Sequence, residues 1–237
     1  MKLTVLGKYG PFSVNGGSTS GYLLESNGNY AVMDLGSGTL TKLLKRIDIN
    51  ELNFVYLSHL HFDHIADVGI LSYAVSFLKK DKKLKVYYHD DGSDVATVLK
   101  NIAVFELVDI KENQIYNEGN LVFSFYKMTH PVDCFGIKIS DGEKTLAYTG
   151  DTTYNENILN LINGVDFLLA DGAFLEKDYA ENKPHMSIKQ VNDISLKYQL
   201  KTLVTHISFN YKDSDVYKEL KKNKLIKVAK ENKTYKL

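Results

Sequence analysis

The sequence contains a single cysteine in 237 residues, so no internal disulfide can form. We interpret Cys134 as a small buried hydrophobic residue in a protein from a reducing compartment. The formal net charge is zero, because 29 basic residues balance 29 acidic ones. No overall field therefore attracts nucleic acid. No export signal is visible, and no stretch approaches the roughly 20 consecutive apolar residues of a membrane-spanning helix. These absences predict a cytoplasmic protein without a membrane span.

The chain also lacks a linker rich in proline or glycine and any low-complexity tract, so nothing divides it. Short apolar segments bounded by turn residues predict strands at 2–6, 21–25, 30–34, 53–57, 121–125, 135–139, 145–148, 167–170 and 202–205. Helical spacing of apolar residues predicts helices at 65–80, 157–162 and 188–196. The two halves look alike, and the apolar content of 44% can fill a sizeable core. We expect one α/β domain over residues 1–237, with sheets inside and helices outside.

A cluster of metal-binding side chains follows the predicted strand at 53–57. Ser58-His-Leu-His-Phe-Asp-His64 places four such residues in six positions. His59 and His61 are two apart in extended backbone and therefore point the same way, so both can hold one ion. Asp63 and His64 lie where a helix begins. The change from extended to helical backbone turns their side chains away from those of His59 and His61, so they can hold a second ion. Apolar residues on both flanks argue against a cluster of solvated surface histidines.

Three further candidates each end an apolar run. They are His130, Asp151 and His206. Strand ends are where a packed α/β scaffold exposes functional side chains to its loops. Each residue alone would be read as a satisfied buried histidine or a turn aspartate. Their agreement with the first cluster is what makes them candidate ligands.

Taken together, these residues resemble the metallo-β-lactamase superfamily, whose mark is H-x-H-x-D-H followed by a distant histidine, an aspartate and a last histidine. The resemblance covers nearly the whole chain. It implies a four-layer αβ/βα sandwich of two mixed β-sheets with helices on the outer faces and metals between the sheets. It implies two ions: one held by His59, His61 and His130, the other by Asp63, His64 and His206, with Asp151 bridging them. Zinc suits these ligands, and manganese or cobalt are alternatives.

Within the superfamily the chain looks like the group related to ribonuclease Z. The motifs are Asp171 after a strand, Pro184-His185-Met-Ser and Thr205-His206-Ile-Ser. The resemblance implies that Asp171 and His185 form a proton-donating pair, and that Asp63 joins them as a catalytic candidate. A carboxylate that orients an imidazole raises its pKa, and the departing alkoxide of a phosphodiester needs a proton. Two ions would clamp the phosphate and activate the attacking water. Asp171 replaces the usual glutamate and Pro184 the usual glycine, which puts the geometry of this pair in question.

The substrate expectation comes from a missing segment. Ribonuclease Z proper carries a long arm for tRNA between the residues that match His130 and Asp151, whereas here these are 21 positions apart. Two predicted strands and the turn at 140–143 fill the interval, so no arm fits. We therefore expect a small phosphodiester, first a 3′,5′-cyclic nucleotide, as in armless relatives that include viral enzymes degrading anti-phage cyclic signals in the host cytoplasm. Maturation of tRNA 3′ ends, another hydrolysis, and a metal-binding protein without turnover stay open.

Four further residues carry weaker expectations. Phe12, Tyr154 or Phe174 could stack on a base, against a simpler role in core or lid packing. His89 lies outside every motif and is expected to be an exposed turn histidine. The resemblance also implies a homodimer.

Overall fold

The computed structural model describes residues 1–79, 83–220 and 223–237. Its strands are β1 (Lys2–Gly7), β2 (Tyr9–Gly10), β3 (Gly21–Ser26), β4 (Asn29–Leu35), β5 (Leu52–Tyr56), β6 (Leu84–Tyr88), β7 (Phe105–Asp109), β8 (Ile115–Glu118), β9 (Leu121–Met128), β10 (Cys134–Ser140), β11 (Thr145–Tyr148), β12 (Phe167–Asp171), β13 (Lys201–Thr205), β14 (Ile207–Ser208), β15 (Ile226–Val228) and β16 (Thr234–Lys236). Its α-helices are α1 (Thr39–Leu43), α2 (Phe62–Ile65), α3 (Val68–Leu78), α4 (Asp94–Lys100), α5 (Asn157–Ile162), α6 (Ile188–Lys197) and α7 (Asp213–Glu219). None of these helices is long and apolar enough to cross a membrane.

Two seven-stranded sheets organise the described residues. The first has the order β16-β1-β3-β4-β5-β6-β7, and the second the order β15-β13-β12-β11-β10-β9-β8. Both are mixed: β4 to β7 run parallel in one, as do β11, β12, β13 and β15 in the other, and the remaining neighbours are antiparallel. A separate two-stranded ribbon pairs β2 with β14 in parallel. The two mixed sheets expected from the resemblance are confirmed.

An aromatic core fills the space between the sheets. In β9, Leu121, Phe123 and Phe125 are buried while the residues between them are more exposed, as a half-buried strand requires. Phe123 stacks on Phe54 of the first sheet with ring centroids 4.9 Å apart, and Phe125 lies 5.0 Å from Tyr56. Aromatic side chains bury about 150–250 Å² each, so these pairs supply much of the apolar area that holds the sheets together.

Helices cover the outer face of each sheet. Leu71 and Val75 of α3 pack on the first sheet with residues of β4, β5 and β6. Leu161 of α5 and Val191 of α6 pack on the second sheet in a separate apolar cluster with residues of β11, β12 and β13. Helix, sheet, sheet and helix therefore form four layers, and the predicted αβ/βα sandwich is confirmed.

The predicted helix at 65–80 is wrong at its start. α2 ends at Ile65 and α3 begins at Val68, with a turn between them. Asp67 causes the break, because its backbone N–H donates to the Leu35 carbonyl over 3.0 Å and its carboxylate accepts from the Leu40 backbone N–H over 2.8 Å. These contacts tie the turn to β4 and α1, where a continuous helix would place Asp67 in the ladder of helical hydrogen bonds. Lys80 lies outside the described residues.

Candidate metal centre

The candidate ligands meet where strands of both sheets end. β5 leads into His59, β11 into Asp151 and β13 into His206. Because parallel strands finish at the same edge, their loops face one another across the gap between the sheets. Strand ends separated widely in sequence therefore build one site.

Three imidazoles form the first donor group. His59 Nε2 lies 3.0 Å from His61 Nδ1, and His130 Nε2 lies 3.2 Å from that same His61 nitrogen. Asp151 Oδ2 is 3.7 Å from His59 Nε2 and 4.0 Å from His130 Nε2. The four ligand atoms lie within 4.8 Å of one another, which is the spacing needed to surround one ion.

Asp63, His64 and His206 form the second donor group, again with Asp151. His206 Nε2 is 3.1 Å from Asp63 Oδ2 and 3.2 Å from Asp151 Oδ2. His64 Nε2 is 3.3 Å from Asp151 Oδ2. Because Asp151 belongs to both groups, a single carboxylate faces two clusters of donors.

Several buried atoms of this site lack a hydrogen-bond partner among the described residues. They include His64 Nε2 and Asp151 Oδ1. Leaving such groups unpaired costs about 1–3 kcal/mol each, so a native site of this kind contains a ligand for them. Nitrogen and carboxylate donors at this spacing suit a divalent cation such as zinc, manganese or cobalt. The residues therefore fit the metals that the fold family implies.

Burial favours the neutral, metal-binding form of the three histidines in the first donor group. It lowers the pKa of His59 well below the ordinary value, and the neighbouring His64 lowers it further. Burial likewise lowers the pKa of His61 and of His130. A neutral imidazole has a free lone pair, so these side chains need no deprotonation before they bind a cation.

Negative charge accumulates around His64. Burial lowers the pKa of His64, but Asp151 and Asp34 outweigh this and hold it well above the ordinary value. Burial conversely raises the pKa of Asp151, and His206 and His64 outweigh it and hold the pKa well below the usual range. The raised pKa of His64 and the lowered pKa of Asp151 both mean that the surroundings favour a positive charge at this point, whether a proton or a metal ion.

Asp34, which the sequence analysis missed, orients His64. Its Oδ2 accepts from His64 Nδ1 over 2.7 Å and from the Tyr148 hydroxyl over 2.6 Å. Ser58 donates to the same carboxylate through its backbone N–H and its hydroxyl, over 2.7 and 2.8 Å. Holding Nδ1 in this way turns Nε2 of His64 towards the other donors. Asp34 ends an apolar run just as His206 does, and that position was the signal that could have identified it.

Backbone geometry positions His206. Its φ of 55° lies in the left-handed region, which non-glycine residues rarely adopt and which is often retained at functional sites. Gly10 packs directly beneath the ring, because a Cβ there would overlap His206. The Tyr22 hydroxyl is 2.7 Å from the Thr205 hydroxyl and fixes the preceding residue. Gly10 is a second residue that the sequence analysis missed.

His185 and Asp171 lie together beside the second donor group. His185 Nδ1 is 2.8 Å from Asp171 Oδ2, and the His185 ring stacks on His206 with centroids 4.7 Å apart. Burial lowers the pKa of His185, but Asp171 and Asp151 outweigh it and raise the pKa to about 9. Thr152 also donates its backbone N–H to Asp171 Oδ2 over 3.0 Å. The raised pKa favours the protonated form of this imidazole.

The two departures from the usual motif leave this geometry intact. Asp171 reaches His185 although its side chain is shorter than glutamate. Pro184 places its carbonyl 3.1 Å from His130 Nδ1 and so orients a residue of the first donor group. Asp171 and His185 also lie within ligand distance of Asp151 and His206. Asp171 Oδ2 accepts the hydrogen bonds from His185 and Thr152, whereas Asp171 Oδ1 is buried without a hydrogen-bond partner among the described residues.

Outside the donor groups, Cys134 is fully buried as expected, with Sγ 3.8 Å from His59 Nδ1. The expectation for His89 is wrong: its ring is three-quarters buried, packs on Phe135 and lies 3.3 Å from Asp133. Packing on the apolar ring of Phe135 and attraction to the Asp133 carboxylate explain why the His89 side chain is mostly buried. Phe174 packs against His185 at 5.9 Å, whereas Phe12 and Tyr154 are exposed.

Comparison of the sequence with known proteins identifies a matching family and two relatives. The family model described as the beta-lactamase superfamily domain matches residues 31–207. A curated relative, the probable metallo-hydrolase YhfI of Bacillus subtilis, is 32% identical over 212 residues, which cover 87% of each chain. A ribonuclease Z of Sulfolobus acidocaldarius is 24% identical over 253 residues, covering 85% of this chain and 87% of that one.

Solved structures show the same fold. The crystal structure of Bacillus subtilis YhfI superposes with a TM-score of 0.91 over 99% of both chains, at 29% identity. The short form of human tRNase Z gives 0.79 at 17% identity, covering 100% of this chain and 99% of that one, and agrees in fold. With a matching model over most of its length and a relative above 30% identity, the chain belongs to the beta-lactamase superfamily, the family that its H-x-H-x-D-H motif indicated.

Proposed function

We propose that this protein is a phosphodiesterase with two divalent metal ions that hydrolyses small phosphodiesters, 3′,5′-cyclic nucleotides first among them. One observation carries the proposal. The His185–Asp171 pair stands 2.8 Å apart beside two donor groups that share Asp151. Metal binding alone does not require a protonated imidazole at the edge of the site, whereas cleavage of an ester with a poor leaving group does.

In this proposal the metals occupy the two donor groups described above, with Asp151 common to both. When bound, two such ions supply Lewis-acid stabilisation of the phosphoryl oxygens and an activated water. Zinc is the proposed metal, since imidazole nitrogen provides five of the seven ligands. Manganese and cobalt also accept this set of donors.

The chain's own residues orient the reaction. Asp63 Oδ2 lies 3.1 Å from His206 Nε2 and 3.6 Å from His64 Nε2, so this carboxylate can orient the attacking water as well as bind metal. Asp171 engages Nδ1 of His185, which leaves Nε2 as the nitrogen that faces a substrate. His185 Nε2 then gives its proton to the departing ester oxygen. Loss of this proton leaves His185 neutral, and the imidazole takes up a proton from solvent before the next turnover.

The short connection between β10 and β11 supports a small substrate. Residues 141–144 join these strands, with Asp141 accepting from the backbone N–H of Lys144 over 2.8 Å. This closed turn lies in the interval where ribonuclease Z carries its arm. Without an arm and without net charge, the chain is poorly equipped to grip a large polyanion. A small diester held next to the metals does not need such a grip.

A tRNA 3′-end endonuclease is the second candidate, because a ribonuclease Z is among the sequence relatives. The relative with higher identity is named only as a probable metallo-hydrolase, which fits either substrate.

Turnover of a substrate panel tests the proposal directly. We expect the zinc- or manganese-loaded protein to linearise cAMP, cGMP, cCMP or cUMP and to leave a 3′-extended precursor tRNA intact. Asp151→Ala, which removes the ligand common to both groups, should abolish turnover. Cleavage of the tRNA alone would make the second candidate correct, and no turnover of either class by metal-loaded protein would leave another hydrolysis or a metal-binding protein without turnover.

Replacing His185 tests the proton donor. His185→Ala should lower kcat for a cyclic nucleotide by about 10²- to 10⁴-fold, because its alkoxide leaving group needs a proton. Bis(p-nitrophenyl) phosphate should be hydrolysed at nearly the parent rate, because p-nitrophenolate departs without protonation. His89→Ala is the matched control, since this histidine lies outside the site.

Metal content measured by elemental analysis must stay unchanged in His185→Ala for the comparison to hold. Equal loss of rate on both substrates, with metal retained, would show that His185 does not act as the general acid.

A homodimer is also part of the proposal. The helix α3 contains no charged residue, and Ile70, Tyr73 and Phe77 are exposed along one face at helical spacing. Beside it, Phe62 and Val98 line an apolar groove of about 360 Å³. Exposed aromatic side chains offer about 150–250 Å² each when fully buried, so these residues approach the ~800 Å² that each partner contributes to a stable interface. A second copy of the chain presents the same ridge and groove, and the two can fill each other.

We expect the parent protein to sediment as a dimer and Phe77→Glu to sediment as a monomer, because a charge cannot be buried unpaired in an apolar contact. Tyr217→Glu, at an exposed aromatic residue of α7, should remain dimeric. Analytical ultracentrifugation distinguishes these states. A monomeric parent, or a dimer that survives Phe77→Glu, would contradict the proposed interface.

A further inference from the structure

Phe12 and Phe209 stack on each other at the protein surface. Their ring centroids are 4.2 Å apart and the planes differ by 27°. Phe12 is 49% exposed and Phe209 38% exposed. Neither side chain belongs to the three apolar clusters that the described residues form between the sheets and under the helices. The stack therefore contributes little to the core, and about half of Phe12 and more than a third of Phe209 remain open to solvent.

The backbone ties this stack to His206, a candidate metal ligand. β2 and β14 pair in parallel, with Tyr9 opposite Ile207 and Gly10 opposite Ser208. Phe12 and Phe209 follow directly after this ribbon. Gly10 itself packs beneath the His206 ring, and Phe209 is three residues beyond His206, so its Cα lies within about 11 Å of that ligand's Cα.

Two other aromatic side chains near the site already have neighbours of their own. Phe174 packs against His185, and the ammonium group of Lys183 lies 5.3 Å from its ring centroid. Phe62 is exposed but faces the apolar groove between α2, α3 and α4. Tyr154 is 45% exposed and follows Asp151 by three residues, whereas the β2–β14 ribbon ties the stacked pair to His206.

We infer that Phe12 and Phe209 form a stacking platform for the nucleobase of a nucleotide whose phosphate binds at the metal centre. The inference rests on the proposed phosphodiesterase function and assigns a binding role within it. Stacking on an aromatic side chain tolerates any base, because every base has a π face. The platform would add affinity for nucleotides over other phosphate esters without selecting one base.

Binding of two ligands that differ only in the base tests this inference without turnover. The probes are 5′-AMP and ribose 5-phosphate, titrated into metal-loaded protein by isothermal calorimetry. The parent should bind AMP about 5- to 150-fold more tightly, because stacking is worth about 1–3 kcal/mol per base. Phe12→Ala and Phe209→Ala should each remove most of this preference while the affinity for ribose 5-phosphate stays the same.

Three controls sharpen the result. Phe12→Tyr keeps the ring and should keep the preference. Tyr198→Ala removes an exposed aromatic side chain at the end of α6 and should leave both affinities unchanged. Metal content of each variant shows whether Phe209→Ala disturbs the nearby residue His206. If it does, Phe12→Ala alone tests the platform.

Equal affinity of the parent for AMP and ribose 5-phosphate would overturn the inference, as would a preference that persists in both alanine variants. Hydrolysis of cyclic nucleotides by the parent is measured separately. If those are turned over but the preference is absent, the platform is wrong and the proposed function stands. If the preference depends on Phe12 but cyclic nucleotides are not turned over, the substrate is wrong and the platform stands.

Discussion

The buried carboxylate of Asp151 is the constraint on which the rest of this structure depends. It is 2% exposed and lies within 3.3 Å of His64 Nε2 and His206 Nε2. An isolated charge in such a place is costly, so the fold must bring positive charge to it. Two groups of donor side chains converge on either side of Asp151, where they can bind the cations that supply this charge. The strand ends, the close approach of Gly10 to the His206 ring and the left-handed backbone of His206 all support that convergence.

Stability and function are linked through a second layer of contacts. Asp34 connects Ser58, His64 and Tyr148, and thereby joins the ends of β4, β5 and β11 across the gap between the two sheets. The same contacts that hold the sheets in register also fix the tautomer of His64. Contacts that hold the two sheets together thus also position the metal ligands. Bound metal would in turn stabilise the native fold.

Much of this could be predicted from local sequence. His59, His61, Asp63 and His64 were identified by their spacing, and His130, Asp151 and His206 by ending apolar runs, and the structure brings all seven together. Gly10 and Phe209 could not be found, because their importance depends on a ribbon between chain segments almost 200 residues apart. The break at Asp67 was missed for a similar reason, since it results from contacts with β4 and α1. The assignment of residues 1–237 to one domain, the roles of the individual ligands and the dimer stay predictions.

The most direct test of the central claim is anomalous diffraction at the zinc absorption edge from crystals grown with zinc. The account predicts two peaks that share Asp151, one within about 2.0–2.2 Å of nitrogens of His59, His61 and His130 and the other at that distance from His64 and His206. A single peak at full zinc loading, or a peak held by His185 and Asp171, would contradict it.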